Sequence, residues 1–205
     1  DSDRDRSLRG ALFQALGTVA VDEDIRARAR DLYAQGSADA DSVDPALFAA
    51  SIAVIAASGG EAEFEDFLAR SKAATSPQEE QRYQSALADF DEEDLVRRVL
   101  DLCLTDDIGR QDAPYLVRRV LWIRERAGEA WTFVMENWDA LNERLPSNSI
   151  VRMLEGIRAL SMAQVAPSVF TFFEEHDVPQ GDRILAQHLE RLEVNVALRN
   201  RETER

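Results

Sequence analysis

The 205-residue chain has two histidines, His176 and His188, and a single cysteine, Cys103, which are the first candidates for a catalytic residue or a metal ligand. The histidines lie 12 residues apart on different predicted helices, so they do not form the His-x-x-x-His pair that binds zinc on one helix. We expect His188 to be a packed or rim residue and Cys103, on an apolar helix face, to be a buried, inert thiol. The sequence therefore predicts no catalytic residue, no metal ligand and no cofactor-binding residue in this chain.

Two arginine pairs, Arg97-Arg98 and Arg118-Arg119, are the remaining candidates for ligand binding. Each could meet a carboxylate on a concave surface, although such pairs more often form the solvated outer face of a helix. The acidic run Asp89–Asp94 lacks the glycine and the closing glutamate of a calcium-binding loop, so we interpret it as a solvated helix start. No glycine-rich phosphate loop and no Gly-x-Ser-x-Gly elbow is present.

The composition narrows the possible partners. A net charge of −15 argues against nucleic acid and anionic membrane surfaces as primary partners, and its simplest effect is solubility. The longest apolar stretch, Leu47–Ala57, is too short to span a membrane. The chain begins at Asp1 in a charged DSDRDRS run, which favours a piece of a longer protein.

The stretch Gln111–Leu145 is predicted to form two helices folded back on each other at the heart of the core. Apolar residues recur at steps of three and four in both halves: Leu116, Val117, Val120 and Leu121 in the first, and Trp131, Val134, Trp138, Leu141 and Leu145 in the second. We place the break at Ala127-Gly128, with Gly128 in the left-handed conformation that closes a helix.

The rest of the chain is also predicted to be helical. An amphipathic helix spans Leu8–Leu16 and ends at Gly17, with Leu8, Leu12 and Leu16 on one face. Asp44-Pro45 and Ser76-Pro77-Gln78-Glu79 are typical helix starts, the second as a capping box. Further helices are predicted over Ile25–Gln35, Glu61–Ala73, the stretch after Asp94, Ile150–Ile157, Val165–Glu175 and the residues after Gly181.

The predicted fold class is therefore all-α. Prolines near helix starts are separated by 32, 37 and 32 residues, at Pro45, Pro77, Pro114 and Pro146. This spacing approaches the period of an α-solenoid, and we predict a HEAT-like stack of antiparallel helix pairs forming one curved domain over residues 1–205.

Several motifs, taken in order, carry a resemblance to a known family. They are Gln111-Asp112-Ala113-Pro114, Gly128-x-x-Trp131-x-Phe133-Val134-x-x-Asn137-Trp138, Met153-Leu154-x-Gly156, Phe172-Phe173-x-x-His176, and Gln187-x-Leu189-Glu190 with Asn195. On these residues the chain resembles the C-terminal helical domain of zinc aminopeptidases of the aminopeptidase N (gluzincin) type. Within that family it is most similar to the endoplasmic-reticulum aminopeptidase-like subgroup.

The resemblance implies a role but no chemistry for this chain. In the family, an upstream domain carries a zinc ion on a His-Glu-x-x-His motif that is absent here, and the helical domain encloses the peptide substrate. It thus implies that this chain is a non-catalytic, substrate-enclosing and regulatory domain, whose partners are the parent's catalytic domain and peptides. Arg97, Arg98, Arg118 and Arg119 become candidate peptide-facing residues. Trp131, Phe133 and Trp138 are expected in the core, with Asn137 capping or bridging helices.

Two other readings remain open at this stage. One is a free-standing α-solenoid adaptor that binds a protein or peptide partner. The other is the effector domain of a regulator, which would need a basic DNA-binding helix pair that the acidic chain does not offer. The sequence leaves residue specificity, peptide length and oligomeric state open. It also leaves open the parent's compartment, with the cytoplasm favoured over secretion or the periplasm.

Overall fold

A computed structural model describes residues 2–178 and 181–203, and every regular element in these two ranges is helical. Twelve α-helices occur there in chain order: α1 (Asp3–Thr18), α2 (Glu23–Ala38), α3 (Pro45–Ala56), α4 (Glu61–Ala73), α5 (Pro77–Leu87), α6 (Glu93–Leu102), α7 (Ala113–Trp122), α8 (Ala127–Glu136), α9 (Trp138–Arg144), α10 (Ser147–Met153), α11 (Ala166–Glu175) and α12 (Asp182–Thr203). Short 3-10 helices span Ala40–Ser42 and Leu154–Ala159. The prediction of an all-α fold is confirmed.

The helices cluster into two compact units, which divide between Leu95 and Val96. Each unit has its own buried apolar core. Across residues 2–178 and 181–203, no helix combines the length and the apolar character that crossing a bilayer would require. The single domain over residues 1–205 stays a prediction.

Helix α3 forms the centre of the first unit, where it packs against α1 and α2. It begins as the sequence predicts: Oδ1 of Asp44 accepts hydrogen bonds from the backbone N–H groups of Ala46 and Leu47, and Pro45 occupies the first turn. Since α3 is apolar on nearly every side, Ile52, Val54 and other residues of its second half are fully buried.

Helix α1 corrects one expectation. The leucines of its apolar face are exposed, Leu8 by 57% and Leu12 by 56%. Its opposite face is buried, and a Cβ atom built on Gly17 would lie 2.6 Å from the methyl carbons of Val54. Glycine therefore lets α1 approach α3 closely, and Gly17 lies inside the helix instead of ending it. A pattern of large apolar residues predicts that the leucine face of a helix is buried, but it does not predict close contacts made by glycine.

Helices α4 and α5 pack against each other beside an aromatic core. Phe67 contacts the rings of Tyr33, Tyr83 and Phe90 at centroid distances of 5.6, 5.5 and 5.8 Å. The predicted capping residue of α5 is present, since Oγ of Ser76 accepts from the N–H of Glu79. The Glu79 carboxylate accepts instead from the N–H of Thr75, one residue before the N-cap.

The second unit is built around α7, which contacts α8, α10 and the 3-10 helix Leu154–Ala159. The break between α7 and α8 falls at residues 123–126, so its predicted position at Ala127-Gly128 is wrong. Gly128 lies in the first turn of α8, and no described glycine has positive φ. A second break at Asn137 separates α8 from α9, and the Nδ2 group of Asn137 donates to the carbonyl of Phe133.

The motif residues of the second unit meet in one aromatic cluster. Trp131 is 1% exposed, and its Nε1–H donates to Oγ of Ser168 at 2.9 Å. The rings that pack together across α8, α9 and the α11 segment are Trp131, Trp138, Phe172, Phe173 and His176. Because these contacts join residues some 40 positions apart, this cluster fixes α11 against the α8–α9 pair.

Candidate functional site

The four candidate arginines lie on α6 and α7 in the second unit. Arg97 is exposed and its Nη2 is 3.7 Å from a carboxylate oxygen of Glu129. Arg98 is half-buried and Arg119 is exposed, and both have partners within the chain. Arg118 is only 23% exposed and pairs with Glu155 at 2.6 Å. Nothing in this placement selects the four arginines as one joint binding surface.

Arg118 instead belongs to a ladder along α7. Its guanidinium carbon lies 5.1 Å from the ring centroid of Tyr115 and 4.8 Å from that of Trp122. Two aromatic faces therefore hold the cation by attraction to their π electrons. Trp122 is 49% exposed, so one side of this large ring remains available to a ligand. We call Tyr115, Arg118 and Trp122 the α7 ladder.

A chain of polar contacts joins the α7 ladder to a buried histidine. Glu155 binds Arg118 on one side and Arg158 on the other, at 2.6 and 3.6 Å. The Nε–H of Arg158 then donates to Nδ1 of His188 at 2.8 Å, and Nε2–H of His188 donates to the carbonyl oxygen of Val151 at 3.0 Å. Both ring nitrogens are thus engaged, and this pattern requires the neutral imidazole with its proton on Nε2.

Burial lowers the pKa of His188, and the Arg158 cation beside it acts in the same direction. The charged imidazolium would place a proton on Nδ1, facing the guanidinium that now donates to it. His188 therefore serves as a structural acceptor that links α12, the 3-10 helix and α10.

A cavity of about 420 Å³ lies beside the first turn of α7. Its wall includes Tyr115 and Arg152, and Nη1 of Arg152 donates to the Tyr115 hydroxyl at 2.8 Å. Asn148 and Ser149 add an amide and a hydroxyl from α10. These groups donate and accept hydrogen bonds, as the recognition of peptide carbonyls and carboxylates requires.

Of the two other candidates from the sequence, Cys103 lies in the core and His176 is half-buried. Cys103 is fully buried, and burial raises the pKa of its thiol to about 12, which leaves it protonated at neutral pH. The His176 ring stacks on Phe172 with centroids 3.9 Å apart, and its Nδ1–H donates to the Phe172 carbonyl.

Metal-ligating side chains do not converge in the described ranges, where no group of three or more histidines, cysteines and carboxylates is placed to hold a metal ion. Both ring nitrogens of His188 and Nδ1 of His176 are engaged by protein atoms and so do not face a metal ion. What α7 and its neighbours can do is bind, through an exposed indole ring and guanidinium donors.

Tyr115, Trp122 and Arg152 were not among the residues predicted from the sequence. A signal for the first two exists, because Tyr115, Arg118 and Trp122 are spaced i, i+3 and i+7 and so share one helix stripe. Arg152 lies 37 residues from Tyr115, and no local pattern predicts that the two side chains meet.

The chain is similar to a set of curated aminopeptidases. It is 28% identical over 204 residues to Aminopeptidase M1 of Arabidopsis thaliana, an alignment that covers 95% of this chain and 23% of that protein. It is 27% identical over 197 residues to Aminopeptidase 2 of Candida albicans, covering 93% of this chain and 21% of that protein. Aminopeptidase M1-B of Oryza sativa subsp. japonica is 29% identical over 120 residues, 58% of this chain and 14% of that protein.

The chain therefore spans less than a quarter of the length of these relatives. The family model described as the ERAP1-like C-terminal domain matches residues 1–194, which takes in both units and all the motifs from Gln111 to Leu189-Glu190. On this match the chain belongs to the ERAP1-like C-terminal domain family.

Proposed function

We propose that this chain is the substrate-enclosing and regulatory C-terminal domain of a zinc metallo-aminopeptidase that removes N-terminal residues from peptides. In this proposal the chain itself breaks no bond, and zinc is held by a catalytic domain elsewhere in the parent enzyme. Family membership over residues 1–194 and the names of the relatives support it.

One structural observation carries the non-catalytic part of the proposal. The side chains best suited to chemistry are all engaged in packing or hydrogen bonds: His188 between Arg158 and Val151, His176 on Phe172, and Cys103 in the core. A general base or a nucleophile must instead present its reacting atom to a substrate.

The α7 ladder and its cavity are the proposed contact surface for peptide. Trp122 offers an apolar platform, and Arg152 offers guanidinium donors to a peptide carbonyl or carboxylate. Arg97, Arg98 and Arg119 stay proposed peptide-facing residues, and Arg118 acts mainly by orienting the two rings beside it. We further propose that the helix pairs of this chain form a curved, HEAT-like stack whose inner wall faces the peptide.

The first test separates catalysis from enclosure. The purified 205-residue chain should retain no zinc after dialysis and should not hydrolyse aminoacyl-nitroanilides. The full-length parent enzyme should retain zinc and should hydrolyse these substrates. Turnover by the chain that persists after a second, orthogonal purification would overturn the non-catalytic assignment.

The second test uses the full-length enzyme and two matched variants. Trp122→Ala removes the exposed ring of the α7 ladder, and the expected rise in KM for a long peptide is about threefold to tenfold. Turnover of an aminoacyl-nitroanilide, which has no peptide chain to lie against this surface, should not change. Val194→Ala, another exposed apolar residue in the second unit, is the control and should leave both substrates unaffected.

A protein-binding adaptor is the second candidate, and the exposed leucine face of α1 favours it. Leu8, Leu12 and Leu16 form an apolar stripe that no described residue covers. The discriminating observation is the coding sequence upstream of Asp1: a His-Glu-x-x-His motif within several hundred codons supports the enzyme domain, and its absence supports the adaptor.

A further inference from the structure

Glu155 occupies the middle position of the motif Met153-Leu154-x-Gly156, in the 3-10 helix that follows α10. This helix lies directly against α7, because Gly156 has no side chain: a Cβ atom built there would lie 2.6 Å from Cβ of Leu121. The close approach brings the neighbouring, half-buried Glu155 beside Arg118. The fold of the second unit therefore places this carboxylate at the α7 ladder.

The guanidinium group of Arg118 depends on Glu155 for its position. Nη1 of Arg118 donates to Oε2 of Glu155 at 2.6 Å, and no other carboxylate within residues 2–178 and 181–203 pairs with this guanidinium. Its Nε is buried and has no hydrogen-bond partner in the same ranges. The remaining contacts are the faces of Tyr115 and Trp122, which attract a cation but do not direct it as a hydrogen bond does. Glu155 is therefore the contact that determines where the guanidinium lies between the two rings.

The carboxylate of Glu155 is itself held from the opposite side. Its Oε1 lies 3.6 Å from Nη1 of Arg158, whose Nε–H donates to His188 on α12. A second residue of α12, Asn195, donates from Nδ2 to the carbonyl oxygen of Arg158 at 2.8 Å. The two oxygens of Glu155 thus face two different arginines, and α12 anchors the second of them. This pairing restricts the carboxylate to one orientation, in which Oε2 points at Arg118.

We infer that Glu155 is the positioning residue of the α7 ladder: it holds Arg118 on one face of Trp122 and so keeps the other face of this ring presented to peptide. The inference rests on the proposed function, because it concerns the same contact surface. Glu155 touches no substrate in this arrangement and acts through Arg118 alone. Without the carboxylate, the half-buried guanidinium has no counter-charge, so it turns towards water and leaves the ring.

Acrylamide quenching of tryptophan fluorescence in the 205-residue chain tests this positioning without an enzyme assay. Trp122 is 49% exposed, whereas Trp131 and Trp138 are 1% and 7% exposed, so the quenchable emission comes from Trp122. Glu155→Gln, which keeps the shape and removes the charge, should raise the quenching constant about twofold, because both faces of the ring become open. Glu193→Gln makes the same change at an exposed position of α12 and should leave the constant unchanged. Equal constants in Glu155→Gln and the parent chain would overturn the inference.

Steady-state kinetics of the full-length parent enzyme test the consequence for peptide. Glu155→Gln should raise KM for a long peptide about threefold and leave kcat unchanged, because the ladder binds peptide without touching a reacting atom. Turnover of an aminoacyl-nitroanilide should not change. Glu155→Asp, which keeps the charge on a shorter side chain, should restore part of the lost affinity. A fall in KM in Glu155→Gln would mean that Glu155 masks Arg118 from the peptide, and this outcome would contradict the positioning role.

A double-mutant cycle shows whether Glu155 acts through Arg118. In an Arg118→Gln background, Glu155→Gln should add nothing to the rise in KM, since the group that it positions is already absent. Additive rises in KM would show that Glu155 acts independently of Arg118 and would overturn the inference. If Trp122→Ala leaves KM for the long peptide unchanged, the proposed contact surface is refuted, whereas the quenching experiment still decides what Glu155 positions. Circular dichroism of each variant confirms that the fold is retained.

Discussion

Arg144 in the second unit and Arg82 in the first unit use the same guanidinium group in opposite ways. In the second unit, Arg144 is 11% exposed, and its guanidinium donates to the carbonyl oxygens of Cys103, Thr105 and Ile108 and to the carboxylate of Asp106. In the first unit, Arg82 touches one aromatic ring and forms no ion pair within the described part of the chain.

The difference shows how a guanidinium group can be assigned to structure or to binding. Where every donor is matched by a protein acceptor, as at Arg144, removing the side chain exposes buried carbonyl groups without partners. Where the described part of the chain supplies no acceptor for the donors, as at Arg82, the protein does not need them for its own stability. The free energy of unfolding should therefore respond strongly to substitution of Arg144 and weakly to substitution of Arg82.

The largest effect on stability is expected from the aromatic cluster of the second unit. Trp138→Ala removes a ring that is 7% exposed and contacts Phe172, Phe173 and His176. We expect the free energy of unfolding to fall by about 3–5 kcal/mol, from lost burial and the cavity left behind. Chemical denaturation followed by circular dichroism measures it, and an unchanged transition would show that this cluster is not the core.

Arg144→Ala should follow, with a loss of about 2–3 kcal/mol in the same measurement. The reason is that three backbone carbonyls of the α6–α7 loop lose their donor at once. Arg97→Ala, whose side chain is exposed and reaches Glu129 only at 3.7 Å, is the matched control and should cost less than about 1 kcal/mol. Similar losses in both variants would remove the distinction between structural and surface arginines.

A smaller effect should appear in the pH dependence of stability. The pKa of His188 is lowered in the folded state, so the unfolded chain takes up a proton first as the pH falls. The contribution of the neutral His188 ring to the free energy of unfolding is fully present above the ordinary histidine pKa of about 6.5. It declines as the pH drops below that value towards the lowered pKa. Arg158 and Glu155 are the charged groups that face the ring. Urea melts between pH 7 and pH 5 measure this decline.

His188→Gln is the variant for that pH experiment. Its side chain cannot take up a proton, so the difference in stability between pH 7 and pH 5 should shrink relative to the parent chain. An unchanged slope would assign the pH dependence to carboxylates and not to this histidine.

The smallest effect on stability is expected for substitution of Arg82. Arg82→Gln should change the free energy of unfolding by less than about 0.5 kcal/mol, because no buried protein group depends on its donors. The same denaturation experiment measures it. A loss as large as that of Arg144→Ala would mean that Arg82 stabilises the first unit.

The sequence by itself determined the helices and much of the core. Apolar residues at steps of three and four predicted the buried faces of α7 to α9, because a helix repeats every 3.6 residues. Asp44 and Ser76 marked helix starts, because their side chains satisfy local N–H groups. The ordered motifs from Gln111 onward also identified the family, to which the match over residues 1–194 assigns the chain.

Tertiary structure alone decided which side chains meet. The exposed leucine face of α1 follows from the close approach of α1 to α3, which Gly17 permits and periodicity does not record. The same holds for contacts between distant parts of the chain: Arg152 reaches Tyr115 across 37 positions, and one cavity of the first unit is lined by Phe48, Arg70 and Arg82 from three helices. Local spacing determines which face of a helix a residue occupies, but only the packing of one helix on another determines what that face touches.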